Sequence, residues 1–299
     1  MTEKLKIVAM SDLHNEFERE GGPGDPSPAW LDLQRKRQAI EGHPHVGPML
    51  DHLRGEGVDL VILAGDIDLE DHGVAYADRV SSFLGVPVVY VMGNHEAYGA
   101  DLDNLVPHLR AAAGATGGRV AFLENDSMFF DIKGRRIHLL GCCLFTDYRL
   151  NGNGEADISL AMLDAGSGLN DHFHIRMRGS LFSPAMAREI HDGSRAWLAR
   201  ETARIRSAEG DEAEIVLVTH HAPIPEANAP DYRGNRLAPA FASDMRAEIA
   251  EWRPTAWIWG HTHWTMEAAI GQTKLLSSQR GYVCIEPGAE SFVPTVVEL

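Results

Sequence analysis

Basic residues are scarce in this chain: 27 Lys and Arg stand against 43 Asp and Glu, a formal charge of −16 over 299 residues. Phosphate backbones are held by basic stripes, so this imbalance disfavours a nucleic-acid partner. Cysteine is scarcer still. Cys142, Cys143 and Cys284 are too few and too poorly spaced for a disulfide framework or a zinc ribbon. No apolar run approaches the length of a membrane span. The start, Met1-Thr2-Glu3-Lys4-Leu5-Lys6, runs straight into a strand-like Ile7-Val8-Ala9-Met10, without the apolar core and cleavage site of a signal peptide. A soluble, cytoplasmic protein with no membrane partner is the expectation. No internal repeat is visible. The remainder is ordinary globular composition, 44% hydrophobic and 23% charged.

Short apolar runs with β-branched residues recur, each closing on a polar cluster: Leu5 to Met10, Leu60 to Ala64, Val86 to Met92, Ile215 to Thr219 and Ala256 to Trp259. Helix-like stretches lie near Pro48 to Glu56, Val74 to Leu84 and Leu102 to Ala113. That alternation predicts an α/β sheet with helices on its faces. Phe129 to Ile132 and Arg136 to Leu140 flank Lys133-Gly134-Arg135 and read as a hairpin. The part after Gly260 is again strand-rich. Ser183 as N-cap with Pro184 at the first position opens a helix to about Ala208. Two segments break the rhythm. Glu16 to Gly47 carries Gly-Gly-Pro-Gly-Asp-Pro-Ser-Pro, and Thr146 to Pro184 is rich in Gly and Asn, with a helix-like Glu155 to Ala165 inside. Loops this long read as lids or insertions. One domain over residues 1–299, with lid-like insertions at about 16–47 and 146–184, is expected.

Each apolar run ends in potential metal ligands. Asp12-Leu13-His14 follows the first, Gly65-Asp66 the second, and Gly93-Asn94-His95-Glu96 the third; His220-His221 and Gly260-His261-Thr262-His263 follow the last two. Side chains two apart on an extended segment share a side, so His261 and His263 reach one small volume together. Imidazole is the commonest protein ligand for Zn- and Fe-class metals. In open α/β sheets, sites form beyond the carboxyl ends of the strands. By residue frequency, Asp-x-His is expected about once in such a chain and Gly-Asp about twice. Gly-Asn-His and Gly-His-x-His are each expected under about 0.1 times. The ordered set, each piece after a strand-like run, carries the weight.

That set resembles the calcineurin-like metallophosphoesterase superfamily, whose pattern is Asp-x-His, Gly-Asp, Gly-Asn-His-Asp/Glu, His and Gly-His-x-His. The motifs run from Asp12 to His263. The resemblance implies a four-layer α/β/β/α sandwich of two mixed sheets with a two-metal site at the carboxyl ends of the strands. It implies Asp12, His14 and His263 on one metal, Asn94, His220 and His261 on the other, and Asp66 bridging. It further implies hydrolysis of phosphate esters by a hydroxide shared between the metals, with His95 as general acid. Two cations about 3.5–4 Å apart need an anion between them, a task suited to Asp66. Nitrogen and oxygen ligands without thiolate suit Mn, Fe, Zn, Co or Ni.

Departures narrow the placement. Purple acid phosphatases carry a metal-binding tyrosine three residues after the bridging aspartate, where this chain has Leu69. Protein serine/threonine phosphatases carry Gly-Asp-x-Val-Asp-Arg-Gly, where this chain has Gly65-Asp66-Ile67-Asp68-Leu69-Glu70-Asp71. The chain looks more like bacterial single-domain phosphoesterases, the group that includes class III cyclic-nucleotide phosphodiesterases. A small phosphate ester, diester or monoester, is the expected substrate. A scaffold of the same fold without turnover, and a nuclease on the same core, are the alternatives. Arg280, Tyr232 and Arg233 are weaker candidates for substrate contact. Glu96 reads as a capping or supporting residue, His221 as structural, and His172 and His174 as surface histidines. His43 and His45 read as loop, and the Cys142-Cys143 pair as buried and inert.

Overall fold

The structure, a computed structural model, describes residues 3–17, 50, 52–283 and 285–299. Four strands build most of one sheet: β1 (Lys6–Met10), β2 (Leu60–Ala64), β3 (Val88–Val91) and β4 (Val120–Phe122). They lie parallel in that order, and β13 (Thr295–Glu298) pairs antiparallel outside β1. The second sheet takes β5 (Asp126–Ile132), β6 (Arg135–Cys142), β9 (Glu214–Thr219), β10 (Ala256–Trp259), β11 (Met266–Ile270) and β12 (Thr273–Ser277). Its order is β11-β12-β10-β9-β6-β5, parallel inside with an antiparallel strand at each edge. The strands β7 (Arg176–Met177) and β8 (Ser180–Leu181) form a separate small hairpin.

Alternation along the strands decides the layering, because successive side chains point to opposite faces. Ile7, Ala9, Ile62 and Val89 of the first sheet meet Ile137, Val216, Val218 and Ile258 of the second in one buried core between the sheets. Their neighbours Val8, Val61, Leu63 and Tyr90 face outward onto Val74, Ala77 and Val80 of α1 (His72–Leu84) and Leu105 and Leu109 of α2 (Leu102–Ala115). On the far side Leu217, Trp257 and Trp259 pack on Leu198 and Ile205 of α5 (Pro184–Glu209) and on Ile249 and Trp252 of α6 (Arg246–Trp252). The result is the α/β/β/α sandwich. Strands buried on both faces appear as unbroken apolar runs, which is why the sequence displays them so plainly.

The segment 146–184 holds the helix expected inside it and corrects the expectation of loop around that helix. It folds into α3 (Glu155–Gly168), the single turn α4 (Asp171–His174) and the β7–β8 hairpin. Ile158, Ala161, Ala165, Ile175 and Phe182 supply the reason, since all are buried in the outer core of the first sheet. His172 is likewise buried rather than on the surface, its Nδ1 lying 2.9 Å from the Phe182 carbonyl, while His174 is exposed. Of the helix expected near Pro48 to Glu56, the described residues show a 3-10 turn over His52–Gly55. Most of the 16–47 segment, with His43 and His45, lies outside the described residues, as does Cys284. Cys142 and Cys143 are buried free thiols.

The long α5 begins as expected: the Ser183 hydroxyl accepts from Met186 N at 3.3 Å and Pro184 takes the first position. Ser183→Ala removes that cap and should lower stability by about 0.5–2 kcal/mol, while Ser183→Asp should hold it. Urea unfolding of the three proteins measures the difference.

Candidate metal centre

All five sequence motifs come to one place because β1, β2 and β3 of one sheet and β9 and β10 of the other end at the same level. Asp12, His14 and His263 offer ligand atoms that lie within 4.8 Å of one another, as do Asp66, His220 and His261. Asp66 stands between the groups. Its Oδ2 is 3.9 Å from His14 Nε2 and its Oδ1 is 3.4 Å from His220 Nε2. Asn94 Oδ1 closes the second group, 3.0 Å from His220 Nε2.

Turning five side chains inward strains the backbone. Asp12, His14, Asp66, His261 and His263 all have positive φ, between 48° and 72°. Non-glycine residues held there cost about 1–3 kcal/mol each, and such strain collects at functional sites. Aspartate and histidine tolerate it better than most. Glycine serves where chains touch: a Cβ on Gly260 would lie 2.7 Å from Asp12 Oδ2 and 2.8 Å from the Ala64 carbonyl.

The imidazoles are oriented from outside. His14 Nδ1 meets Glu16 Oε1 at 3.0 Å, His220 Nδ1 meets the Ala64 carbonyl at 2.9 Å, and His263 Nδ1 meets Glu286 Oε1 at 2.6 Å. Carboxylates and carbonyls only accept, so each Nδ1 carries hydrogen, and in the neutral ring each Nε2 lone pair points inward. His14 Nε2 therefore faces His263 Nε2 at 3.0 Å, and His220 Nε2 faces Asn94 Oδ1. With neutral rings acceptor faces acceptor in both places, an arrangement that positive charge, a proton or a cation, stabilises. Burial opposes it, yet Asp66 and Asp12 raise the His220 ring to about 10, which reports the same pull on cations.

His261 gives a second sign that the residues fit a metal. Both its ring nitrogens are buried without a hydrogen-bond partner. Burial, and then the neighbouring His221 and His220 rings, press its pKa well below the ordinary range, so the ring is a neutral ligand. His221 backs it at 4.0 Å between ring centres, its own Nδ1 lying 3.2 Å from the Cys143 carbonyl. That is the structural place expected for His221.

Several polar residues around the cage carried no signal in the sequence. Glu16 Oε1 meets both His14 Nδ1 and, at 2.8 Å, His95 Nδ1. Burial would raise its carboxyl, but those two imidazole bonds outweigh burial and hold it at about 2. Tyr282 places its hydroxyl 3.1 Å from His95 Nε2, with its ring against His14 and His263. Glu96, expected as a support, fills that role with both oxygens. It accepts from Asp66 N, Ile67 N, Gly93 N and the Tyr90 hydroxyl, tying the β2 loop to the β3 loop.

The weaker candidates lie differently. Arg280 directs Nε at the Ala289 carbonyl and Nη1 at the Leu13 carbonyl, bracing the loop of Asp12 and His14. Arg233 donates to the Asn228 and Glu226 carbonyls, and Tyr232 is exposed. Among the described residues, no hydrogen bond joins Tyr232 or Arg233 to the cage.

A four-layer sandwich with a cage of histidine, aspartate and asparagine beyond its parallel strands defines a class of metal-site α/β proteins. Within that class, the family model for calcineurin-like phosphoesterases matches residues 5–265, and the chain belongs to that family. Among solved structures its fold is similar to phosphopantetheinyl hydrolase from Mycobacterium tuberculosis, at 17% identity over 96% of this chain and 99% of that one, with a TM-score of 0.60. It is also similar to a dimetal phosphatase from Danio rerio, at 16% identity over 91% of this chain and 86% of that one, with a TM-score of 0.47. No curated protein matches it by sequence. Among the described residues, no helix is long and apolar enough to cross a membrane.

Gly260→Ala drives a methyl group into the Asp12 carboxylate and the Ala64 carbonyl. Metal-free protein carrying it should lose about 1–3 kcal/mol in urea unfolding, as overpacked sites do. An unchanged midpoint would show that the two loops are not in contact.

Proposed function

We propose that this chain is a dinuclear-metal-dependent hydrolase of phosphate esters, acting on a small organic phosphodiester or phosphomonoester. One observation carries the reading: the two oxygens of Asp66 face separate ligand groups, Oδ2 towards His14 and Oδ1 towards His220. Asp12, His14 and His263 would hold one ion and Asn94, His220 and His261 the other, with Asp66 shared. The donor set suits Mn, Fe, Zn, Co or Ni. When bound, two such ions supply an activated oxygen nucleophile near neutral pH and offset charge on the phosphoryl oxygens.

The chain's own residues do the rest. Glu16 anchors His95 Nδ1, which leaves Nε2 directed into the site, 4.0 Å from Asp66 Oδ2. From there His95 holds a proton for the leaving oxygen. The Tyr282 hydroxyl, hydrogen-bonded to that nitrogen, stands where a leaving oxygen would approach. Of the expected substrate contacts, Tyr232 offers an exposed ring, whereas Arg280 and Arg233 each direct part of the guanidinium at backbone carbonyls. The charge of −16 favours small phosphates over nucleic acid.

Protein loaded with Mn, Fe, Zn, Co or Ni should hydrolyse an aryl phosphate or a bis-aryl phosphate, and chelation should abolish turnover. Hydrolysis of neither substrate by metal-replete protein would leave a binding scaffold instead. His95→Asn should lower kcat by about 10²–10⁴-fold, as removal of a general acid does. The same variant should retain both ions in metal analysis; their loss would make His95 a ligand.

A further inference from the structure

Among the described residues, segment 146–184 reaches the cage through a polar contact at Asn94. Asp171, the first residue of α4, is 6% exposed and directs its Oδ1 at the amide of Asn94, whose Nδ2 donates to it at 2.9 Å. The Tyr98 hydroxyl donates to the same oxygen at 2.8 Å and accepts from Asn94 Nδ2 at 3.3 Å. Tyr98 also stacks on His95, with 4.3 Å between ring centres.

An asparagine amide has two ends, and only the oxygen end binds a cation. A carboxylate accepts and does not donate, so Asp171 can face only the nitrogen end. Asn94 Oδ1 is thereby turned towards His220 and Asp66. Backbone bonds hold the carboxylate in place: Gly99 N donates to the His174 carbonyl at 2.8 Å, and Arg176 N to the Ala100 carbonyl at 2.9 Å. Asp101 Oδ2 accepts from Gly179 N and Asp103 Oδ2 from Arg178 N, extending the same seam. The chain that follows Asn94 and His95 is thus zipped to the chain that follows Asp171.

We propose that Asp171 is a positioning residue for the second metal, locking Asn94 with its oxygen inward, with Tyr98 as the intermediary that shares the same carboxylate. The proposal rests on the two-cation reading above. Segment 146–184 then does more than cover the site. It completes the ligand set of one ion and leaves that of the other alone.

Calorimetric titration of metal-free protein with Mn²⁺ tests this. Wild type should take up two ions. In Asp171→Ala one site should weaken by about 10–100-fold, the usual loss when a ligand's outer partner is removed, and the other should stay unchanged. Asp171→Asn keeps an acceptor oxygen and should lie nearer wild type; an affinity no better than that of the alanine variant overturns the proposal. Because Asp171 acts through Asn94, Asp171→Ala should add less than about twofold on an Asn94→Ala background. Two unchanged sites, or two equally weakened ones, overturn the proposal while the two-cation reading stands. Wild type that takes up no ion overturns both. Should Asp171→Ala fail to fold, Tyr98→Phe decides by the same titration, with a smaller loss at the same site expected and no loss overturning the idea.

Discussion

A single buried carboxylate faces two groups of candidate ligands at once, and most of this architecture answers to that arrangement. Burial alone would raise the Asp66 carboxyl, yet His220 and His95 beside it hold it well below the ordinary carboxylate range. To bring nitrogen donors to both of its oxygens, loops from two different sheets must end at the same height. Parallel strands provide that, since all of their carboxyl ends lie on one edge. Within the two large sheets, antiparallel pairing is confined to β13, β11 and β5 at the outer edges, where no candidate ligand follows. The left-handed backbone at five candidate ligands is the local cost of aiming them across the gap between sheets.

Inward-facing donors need outward-facing partners, and the chain supplies a different kind for each. A backbone carbonyl serves His220, Glu286 serves His263, and Glu16 serves His14 and His95 together. Serine completes the pattern at the aspartate end, where Ser11 Oγ donates to Asp12 Oδ2 at 2.5 Å and His261 N donates to both of its oxygens. Each contact fixes a tautomer or a rotamer before any ligand arrives, which is how a site avoids reorganising on binding. The acidic composition of the chain has a local counterpart here. Asp12, Asp66, Glu16 and Glu286 gather around the imidazole rings, so acidic charge concentrates at the cage.

The candidate ligands were legible as a group because their motifs are rare and ordered, and because strands buried on both faces announce themselves as apolar runs. Even the boundaries of β2 and β10 coincide with the runs Leu60 to Ala64 and Ala256 to Trp259. Glu16, Glu286, Tyr282 and Asp171 were not legible. A glutamate in a chain with 43 acidic residues carries no signature, and its importance lies only in which nitrogen it meets across the fold. Asp171 illustrates the limit best, since its partner Asn94 is distant in sequence and its surroundings read as loop. His172 went wrong for a related reason. Two histidines alternating on an expected lid read as surface residues, whereas one turn of helix over Asp171–His174 sends His172 inward and leaves His174 outside.

Asn94 and His95 are adjacent, yet the reading gives them separate tasks, and the short 3-10 turn His95–Ala97 makes that division possible. One faces Asp171 and His220, the other Glu16 and Tyr282. Asp66 joins them from below, its Oδ1 accepting from His95 N at 2.8 Å while facing His220. A ligand and a proton donor placed side by side would compete for the same positive charge if both rings or amides could swing freely. Here each is held from its own side, His95 by the β1 loop and the Asn94 amide by α4. The turn therefore cannot shift towards one task without breaking a contact that belongs to the other. On the proposed reading, that mutual restraint, rather than the motif Gly93-Asn94-His95-Glu96 itself, is what would keep a proton carrier out of the ligand set.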